Sequence, residues 1–287
     1  MTTAIEKVLL PNGHMMPAAV FGVYQVKDAR ECQKAVEEAL AAGYRALDTA
    51  ASYGNEAAVG VAIKASGIPR DELFITTKLW AEDASESGAR RAVDRSLELL
   101  GLDRLDLYLI HQPVGDVYGA WRTMEKLCIE GVLGAIGVSN FMPDRLVDFA
   151  LHQTIRPMVN QVEINPFCQQ TDALPVMAAL GVQPEAWAPF AEGRNGLFEN
   201  PVLAEIARKH NRTVGQVVLR FVRQLGAVVV AKTVRPERMR ENLDIFSFTL
   251  DEDDMAKIRA LDTKTSQFFS HRDPAIMKWM STRHIEH

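Results

Sequence analysis

The amino-acid sequence predicts an α/β fold, a single (β/α)8 barrel spanning residues 1–287. Short apolar runs rich in valine, isoleucine and leucine alternate along the chain with amphipathic stretches of helical period. Eight such runs can be counted, and an eight-fold strand–helix unit needs about 250 residues. Alternation alone would also suit an open, doubly wound sheet, so the choice between the two depends on where the polar residues lie.

The expected elements follow one another in order. Residues 8–16 are expected to form a β-hairpin through Asn12 and Gly13, a dipeptide typical of tight turns, which caps one end of the fold. Strands are expected at residues 18–23, 45–48, 73–77, 105–111, 134–138, 158–164, 183–188 and 227–231. Helices are expected at residues 29–42, 56–65, 86–100, 118–130, 145–152, 172–180 and 202–222. Gly43 closes the first helix, as glycine commonly does at a helix C-terminus.

The polar residues favour the closed barrel. In a barrel the C-terminal ends of all strands meet at one face, whereas in an open sheet they are spread along an edge. Chemically capable side chains end the expected strands or directly follow them: Asp48, Lys78, His111, Asn140, Gln161, Trp187 and Lys232. We therefore expect one site at that face, with the C-terminal tail of the chain lying over it.

Seven segments resemble, in the right order, those of the aldo-keto reductases. They are GYRALDTAASYGNE (43–56), TTKLW (76–80), LDLYLIHQP (105–113), GAIGVSNF (134–141), NQVEINPF (160–167), WAPF (187–190) and AKTVRPERMRENL (231–243). The segment FFSHRDPAIMKWM (268–280) and the short loop after His111 are most similar to the bacterial branch that includes 2,5-diketo-D-gluconate reductases and methylglyoxal reductases. The resemblance implies a TIM barrel and an NADPH-dependent oxidoreductase that reduces aldehydes or ketones to alcohols.

Four residues suit the protonation of a carbonyl oxygen. Tyr53 is the candidate proton donor, but a free phenol has a pKa of about 10 and is a reluctant acid near neutrality. A nearby Lys78 ammonium is expected to lower the pKa of Tyr53, while Asp48 keeps that ammonium charged and oriented. His111 would hydrogen-bond the carbonyl and select its geometry. Taken singly, each of the four has a structural alternative: a helix cap, a packed ring, a solvated lysine or a core histidine.

A nicotinamide cofactor is implied by the resemblance, although the G-x-G-x-x-G fingerprint of Rossmann domains is absent. In the resembling family a Ser-Asn pair and a glutamine hold the nicotinamide carboxamide, which implies this role for Ser139, Asn140 and Gln161. Trp187 would stack on the nicotinamide ring, where relatives commonly have tyrosine. As structural alternatives, Ser139 and Asn140 could cap a helix and Trp187 could lie in the core.

A cationic segment directly follows the last expected strand. Three cations and a hydroxyl lie within seven residues: Lys232, Thr233, Arg235 and Arg238. Arginine forks and lysine point charges suit a phosphate ester, so this segment favours NADPH over NADH. By the resemblance, these residues grip the 2'-phosphate, Arg238 also stacks on adenine, and Glu241 and Asn242 contact the adenine edge. A solvated basic helix start is the alternative, and Arg235 could simply be a surface residue.

Loops at the same face are expected to wall the substrate pocket. They contribute Tyr24, Trp80, Gln112 and, from the tail, Phe269, His271 and Arg272. Many relatives carry tryptophan at the position of Gln112, so we expect a more polar pocket suited to small aldehydes, α-dicarbonyls or keto-sugar acids. His271 and Arg272 could instead anchor the tail.

The composition of the chain argues against several classes of partner. A net charge of -5 argues against nucleic acid or an anionic membrane as the main partner, and no apolar run has the length of a signal peptide or membrane span. Three separated cysteines indicate reduced thiols in a cytoplasmic protein. Histidines and cysteines show no metal-ligand spacing, so no metal is expected. We expect a monomer acting on a small-molecule carbonyl substrate.

Two other functions remain open. One is a cofactor-binding protein without catalysis, like the channel-associated relatives of the reductases that act as redox sensors. The other is a barrel hydrolase or lyase that uses Lys78 as a Schiff-base amine. Turnover of a test aldehyde separates the first from a reductase, and borohydride trapping with a carbonyl substrate detects the second.

Overall fold

An antiparallel hairpin precedes a closed barrel of eight parallel strands in the computed structural model, which describes residues 5–285. The strands are β1 (Lys7–Leu9), β2 (Met15–Pro17), β3 (Ala19–Gly22), β4 (Ala46–Asp48), β5 (Phe74–Leu79), β6 (Leu105–Ile110), β7 (Leu133–Ser139), β8 (Val159–Glu163), β9 (Gln183–Trp187) and β10 (Val228–Ala231). β1 pairs with β2, and the barrel closes where β10 pairs in parallel with both β3 and β9. The predicted (β/α)8 barrel and its N-terminal hairpin are confirmed.

Helices surround the barrel. They are α1 (Ala29–Ala42), α2 (Glu56–Ser66), α3 (Glu86–Leu100), α4 (Val117–Ile129), α5 (Pro143–Leu151), α6 (Ala173–Leu180), α7 (Pro201–His210), α8 (Val214–Gln224), α9 (Pro236–Leu243), α10 (Glu252–Arg259) and α11 (Pro274–Thr282). α1 shows how local sequence sets the bounds: Asp28 accepts a hydrogen bond from the backbone N–H of Glu31, and Gly43 ends the helix at φ 113°. Among the described helices, none is long and apolar enough to span a membrane.

The single helix expected at residues 202–222 is wrong, because two helices occupy that stretch. Asn211 ends α7 in the left-handed conformation at φ 51°, and its N–H bonds to carbonyls of the last turn. Thr213 then begins α8 through a capping box with Gln216. The apolar period continues across both helices, so periodicity alone did not reveal the break. α10 and α11 were not expected at all.

The two ends of the barrel are covered differently. At the N-terminal end of the strands, Asn12 Nδ2 of the hairpin donates to the carbonyl of Gly134 over 2.7 Å, near the start of β7. At the opposite end lies the C-terminal tail, where Trp80 Nε1 donates to the carbonyl of Arg283 over 2.9 Å. Met280 of α11 is buried against Trp80. The expected position of the tail over the polar strand ends is confirmed.

Candidate active site

A cavity of about 650 Å³ opens at the C-terminal ends of the barrel strands. Many of the site residues expected from the sequence line it: Tyr24, Asp48, Tyr53, Trp80, His111, Gln112, Ser139, Asn140, Gln161, Trp187, Lys232 and Arg238. They come from loops and strand ends far apart in the chain, and barrel closure brings them to one face.

Strand register places Lys78 beside Asp48. Asp48 of β4 lies opposite Thr76 of β5, so Lys78 is two residues further on and its side chain points to the same face as that of Thr76. Lys78 Nζ donates to Asp48 Oδ1 over 2.6 Å and to the carbonyl of Thr49 over 2.9 Å. It also lies 3.4 Å from the Tyr53 hydroxyl oxygen. The Lys78 side chain is fully buried and does not line the cavity, whereas its neighbour Tyr53 does.

Burial dominates the acid–base behaviour of Tyr53. It raises the pKa of the phenol to about 12, although the Lys78 cation acts to lower that pKa. For Lys78, burial would lower the pKa, but the Asp48 carboxylate, with a smaller contribution from Tyr53, outweighs burial and raises that pKa above its ordinary value. Lys78 therefore acts on the pKa of Tyr53 in the expected direction, but burial outweighs it, so this pKa lies above that of a free phenol. Near neutrality Tyr53 is a protonated phenol and Lys78 an ammonium.

His111 is a neutral imidazole. Burial, together with the positive charges of Lys78 and Arg283, holds its pKa well below the ordinary value. Ser52 Oγ lies 3.3 Å from His111 Nδ1, and the ring stands edge-on to Tyr53 and Trp80 at centroid distances of 5.7 and 5.4 Å. If the Ser52 hydroxyl donates to Nδ1, the single imidazole proton is on Nε2 and available as a donor. Sequence reasoning missed Ser52, although it directly precedes Tyr53 in the 3-10 helix Ala51–Tyr53.

Two buried carboxylates fix the orientation of Gln161. Its Nε2 donates to Asp48 Oδ2 over 2.8 Å and to Glu185 Oε2 over 2.9 Å. Because the Asp48 carboxylate, which pairs with Lys78, can only accept, the amide NH2 must face it, and the carbonyl Oε1 is turned away. Sequence reasoning missed Glu185, although a fully buried acid inside a barrel strand is unusual. Burial, followed by the Asp48 charge, raises the pKa of Glu185 to about 8.

Asn140 links three strand ends. Its backbone adopts the left-handed conformation at φ 65°. Its Nδ2 donates to the carbonyl of His111 and to Ser139 Oγ, over 3.0 Å each. Its Oδ1 accepts from Trp187 Nε1 over 2.9 Å. Ser139 Oγ in turn donates to the carbonyl of Gln161 over 2.7 Å. The side-chain NH2 of Asn140 therefore donates to protein atoms only. A ligand could bind this side chain only through the remaining acceptor site on Oδ1. Among Ser139, Asn140 and Gln161, the Gln161 Oε1 atom is the one without a hydrogen bond among the described residues.

Only part of the cationic segment reaches the cavity. Lys232 and Arg238 line it, whereas Thr233, Arg235, Glu241 and Asn242 do not. Thr233 Oγ1 accepts from the backbone N–H of Arg235 over 3.2 Å. Asn242 is buried and hydrogen-bonds Tyr44, away from the cavity lining. Lys232 and Arg238 are therefore the members of the segment that the structure places where a phosphate could be held.

His271 does not line the large cavity. Its Nε2 lies 3.0 Å from Gln112 Oε1, and it borders a separate cavity of about 230 Å³. Arg272 lies 3.7 Å from Asp144 and is also outside the large cavity, whereas Phe269 lines it. The expectation that His271 belongs to the substrate pocket thus needs correction, because Gln112 stands between His271 and the cavity.

Further lining residues come from segments that the sequence did not single out. Gln25 Nε2 donates to Glu192 Oε1 over 3.0 Å, so the loop after β3 meets the loop after β9 across the rim. Arg194 lies over the ring of Phe268 at 4.3 Å. Arg283 of the tail also lines the cavity. The glycines at 193 and 196, both with positive φ, mark the irregular loop, but nothing local indicated which residues it would meet.

Fold and site together are those of an aldo/keto reductase. The Aldo/keto reductase family model matches residues 18–263, so the chain belongs to this family. Glyoxal reductase of Bacillus subtilis (strain 168) is 45% identical over 262 residues, which cover 91% of this chain and 94% of that protein. Morphine 6-dehydrogenase of Pseudomonas putida is 41% identical over 268 residues, covering 88% and 90% of the two proteins.

A solved structure supports the same conclusion. The crystal structure of a Bombyx mori aldo-keto reductase in complex with NADP matches with a TM-score of 0.89 and 31% sequence identity, covering 96% of this chain and 97% of that chain. The family that the seven segments predicted is therefore confirmed. The finer likeness to the 2,5-diketo-D-gluconate and methylglyoxal reductase branch stays a prediction.

Proposed function

We propose that this protein reduces aldehydes or ketones to alcohols with NADPH, and that Tyr53 is the proton donor. The observation that carries the proposal is the position of Lys78 Nζ, which contacts Asp48 Oδ1 at 2.6 Å and the Tyr53 hydroxyl at 3.4 Å beside a neutral His111. An ammonium next to a partly buried phenol stabilises the phenolate that remains after proton donation. The group is thus suited to giving up a proton to a developing alkoxide.

The chemistry of the chain's residues supports this assignment step by step. When bound, the reduced nicotinamide supplies a hydride to the carbonyl carbon. His111 is placed to donate a hydrogen bond to the carbonyl oxygen, where negative charge develops. Tyr53, a protonated phenol near neutrality, donates its proton to that oxygen. Lys78, held charged by Asp48, offsets the negative charge left on the Tyr53 oxygen.

The donor set fits a nicotinamide dinucleotide phosphate. The Gln161 carbonyl can accept from a carboxamide, the Trp187 ring offers a stacking face, and both line the same cavity. Lys232 and Arg238 offer cations for the phosphate at another part of its wall. That a Bombyx mori relative was crystallised with NADP supports the same cofactor for this chain. The similarity to a glyoxal reductase supports small α-dicarbonyl compounds as substrates.

Replacing Tyr53 with phenylalanine tests the proton donor. The variant Tyr53→Phe keeps the ring and its packing against Tyr24 and His111 but loses the hydroxyl. We expect the rate of methylglyoxal reduction, followed by NADPH oxidation, to fall at least about a hundredfold. NADPH affinity measured by fluorescence titration should change little. Near-normal turnover in the variant would remove Tyr53 from the mechanism.

The two alternative functions make different predictions. A non-catalytic cofactor-binding protein would bind NADPH without reducing any aldehyde of a test panel. A Schiff-base enzyme needs a neutral amine, whereas the Asp48 carboxylate keeps Lys78 an ammonium. Borohydride added with a carbonyl substrate should therefore leave the protein mass unchanged, and a stable adduct at Lys78 would favour the Schiff-base enzyme.

A further inference from the structure

The tail carries a guanidinium that the mechanism above does not use. Arg283 lies just beyond α11 and lines the large cavity. Its guanidinium carbon lies 5.4 Å from the ring centroid of Trp80 and 5.2 Å from that of Trp279. Trp80 Nε1 also holds the Arg283 carbonyl at 2.9 Å. Two indole rings and a backbone hydrogen bond thus position this cation at the cavity wall.

The charge of Arg283 is not matched by an acidic partner within the part of the chain that the structure describes. Of the other basic groups near the cavity, Lys78 pairs with Asp48 at 2.6 Å and Arg194 with Glu192 at 3.6 Å, whereas Lys232 and Arg238 resemble Arg283 in having no such partner among the described residues. Its neighbour His284 pairs with Glu82 at 2.9 Å, but Arg283 forms no ion pair of this kind with any residue from 5 to 285. The positive charge of Arg283 nevertheless reaches His111, where it contributes to the lowered pKa.

We propose that Arg283 binds an anionic group of the substrate, so that this enzyme prefers carbonyl compounds that carry a carboxylate over neutral analogues of the same shape. The inference rests on the proposed carbonyl reductase function, in which His111 holds the carbonyl oxygen. A planar guanidinium offers forked donors that match a carboxylate. Contact with the rings of Trp80 and Trp279 restricts the positions that the cation can adopt, which lowers the entropic cost of pairing.

Matched aldehydes test the preference. 4-Carboxybenzaldehyde and 4-formylbenzamide differ in charge but little in size. The corresponding 3-substituted compounds place the carboxylate or amide at a different distance from the aldehyde. We expect the wild-type enzyme to reduce at least one carboxylate with a kcat/KM at least about tenfold above that of its amide. The difference should lie mainly in KM and should shrink with added salt, because salt screens exposed charges.

Variants assign the preference to Arg283. In Arg283→Gln the carboxylate-to-amide ratio should fall to near one, while Arg283→Lys should retain part of it because the charge remains. Arg272→Gln is the matched control, since Arg272 belongs to the same tail but lies outside the large cavity. An equal ratio in wild type and Arg283→Gln would overturn the inference and leave the reductase function untouched.

Binding separates this inference from the proposed function. If no aldehyde is reduced, the reductase proposal fails. The role of Arg283 can still be tested by calorimetry, which compares the affinity for 4-(hydroxymethyl)benzoate with that for 4-(hydroxymethyl)benzamide. Tighter binding of the benzoate in the wild type, lost in Arg283→Gln, supports the anion site. Equal binding of the two compounds in the wild type contradicts it.

Discussion

A fully buried ammonium is stable only when its charge is compensated, and Lys78 meets this condition with three acceptors. The Asp48 carboxylate, the Thr49 carbonyl and the Tyr53 hydroxyl all lie within hydrogen-bond distance of Nζ. Removing one partner of such a buried pair typically costs about 3–5 kcal/mol, because the other charge is left uncompensated. The same arrangement therefore serves stability and the acid–base chemistry of Tyr53.

Lys78→Met tests that coupling. The variant loses the cation that acts against burial, so the pKa of Tyr53 should rise further and turnover should fall by about a hundredfold or more. Any residual activity should show its basic limb displaced upward in a pH–rate profile. The exposed Lys64→Met serves as the control and should behave as wild type. An active Lys78→Met enzyme with an unchanged pH profile contradicts the assignment.

Glu185 makes stability depend on pH. Its pKa is raised to about 8 by burial and by Asp48, so the folded state holds a proton that the unfolded state releases above a pH of about 4.3. The stability associated with this group is therefore present at low pH and lost as pH rises to about 8. Glu185→Gln removes the titration while keeping an acceptor for Gln161.

The expected result is a flatter pH dependence. Between pH 5 and pH 8 the wild-type free energy of unfolding should decline relative to that of Glu185→Gln by on the order of 1 kcal/mol per pH unit. Urea denaturation at several pH values measures this difference. The exposed Glu199→Gln should leave the wild-type slope unchanged. Parallel curves for wild type and Glu185→Gln would show that Glu185 is ionised throughout.

At the scale of the element, the break between α7 and α8 depends on side-chain capping. Thr213 Oγ1 accepts from the backbone N–H of Gln216, and Gln216 Oε1 accepts from that of Thr213. Thr213→Ala should lower the free energy of unfolding by about 1 kcal/mol, a Tm decrease of about 2 °C, and leave kcat unchanged. Thermal melting of this variant beside the exposed Thr171→Ala measures the effect. Equal Tm values for the two variants would mean that the capping box contributes nothing.

Elements whose ends carry a local signal were predictable. α1 and α3 have the expected bounds because a cap residue begins each and a left-handed glycine ends it. The two-helix arrangement of α7 and α8 does not follow from periodicity, since the apolar face runs through both and a single left-handed residue, Asn211, makes the break. Helix bounds could thus be predicted where capping residues and apolar periodicity agree. The prediction failed where a capping residue alone ends the helix.

The site was predictable to the extent that strand ends determine it. Asp48, Lys78 and Gln161 lie on barrel strands, so their convergence follows from parallel closure alone. Arg283 is a different case, because it meets Trp80 only through a contact spanning 203 residues. The raised pKa of Tyr53 does not follow from the sequence either, since burial depends on neighbours such as Tyr24 and His111 that the fold brings to the ring.

At the scale of the whole molecule, charge is unevenly distributed. The chain carries a net charge of -5, yet the cavity wall presents the cations Lys232, Arg238 and Arg283. A cleft lined by positive groups raises the local concentration of anions and speeds their association. Under the proposed function, Lys232 and Arg238 would serve the cofactor phosphate, and Arg283 an anionic group of the substrate. The two ligands would thus be recognised by separate cations of one cavity.

Arg238→Ala tests the cofactor end of this arrangement. If Arg238 binds the 2'-phosphate, NADPH affinity should fall about tenfold or more, since a hydrogen bond to a charged group contributes about 1.5–3 kcal/mol. NADH lacks that phosphate and should lose only the adenine stacking that Arg238 provides, so the ratio of the two affinities, from fluorescence titration, isolates the phosphate contribution. Arg235→Ala is the matched control, because Arg235 lies in the same segment but outside the cavity lining. A fixed ratio in Arg238→Ala, or equal binding of NADH and NADPH by the wild type, contradicts the phosphate site and with it the assignment of NADPH.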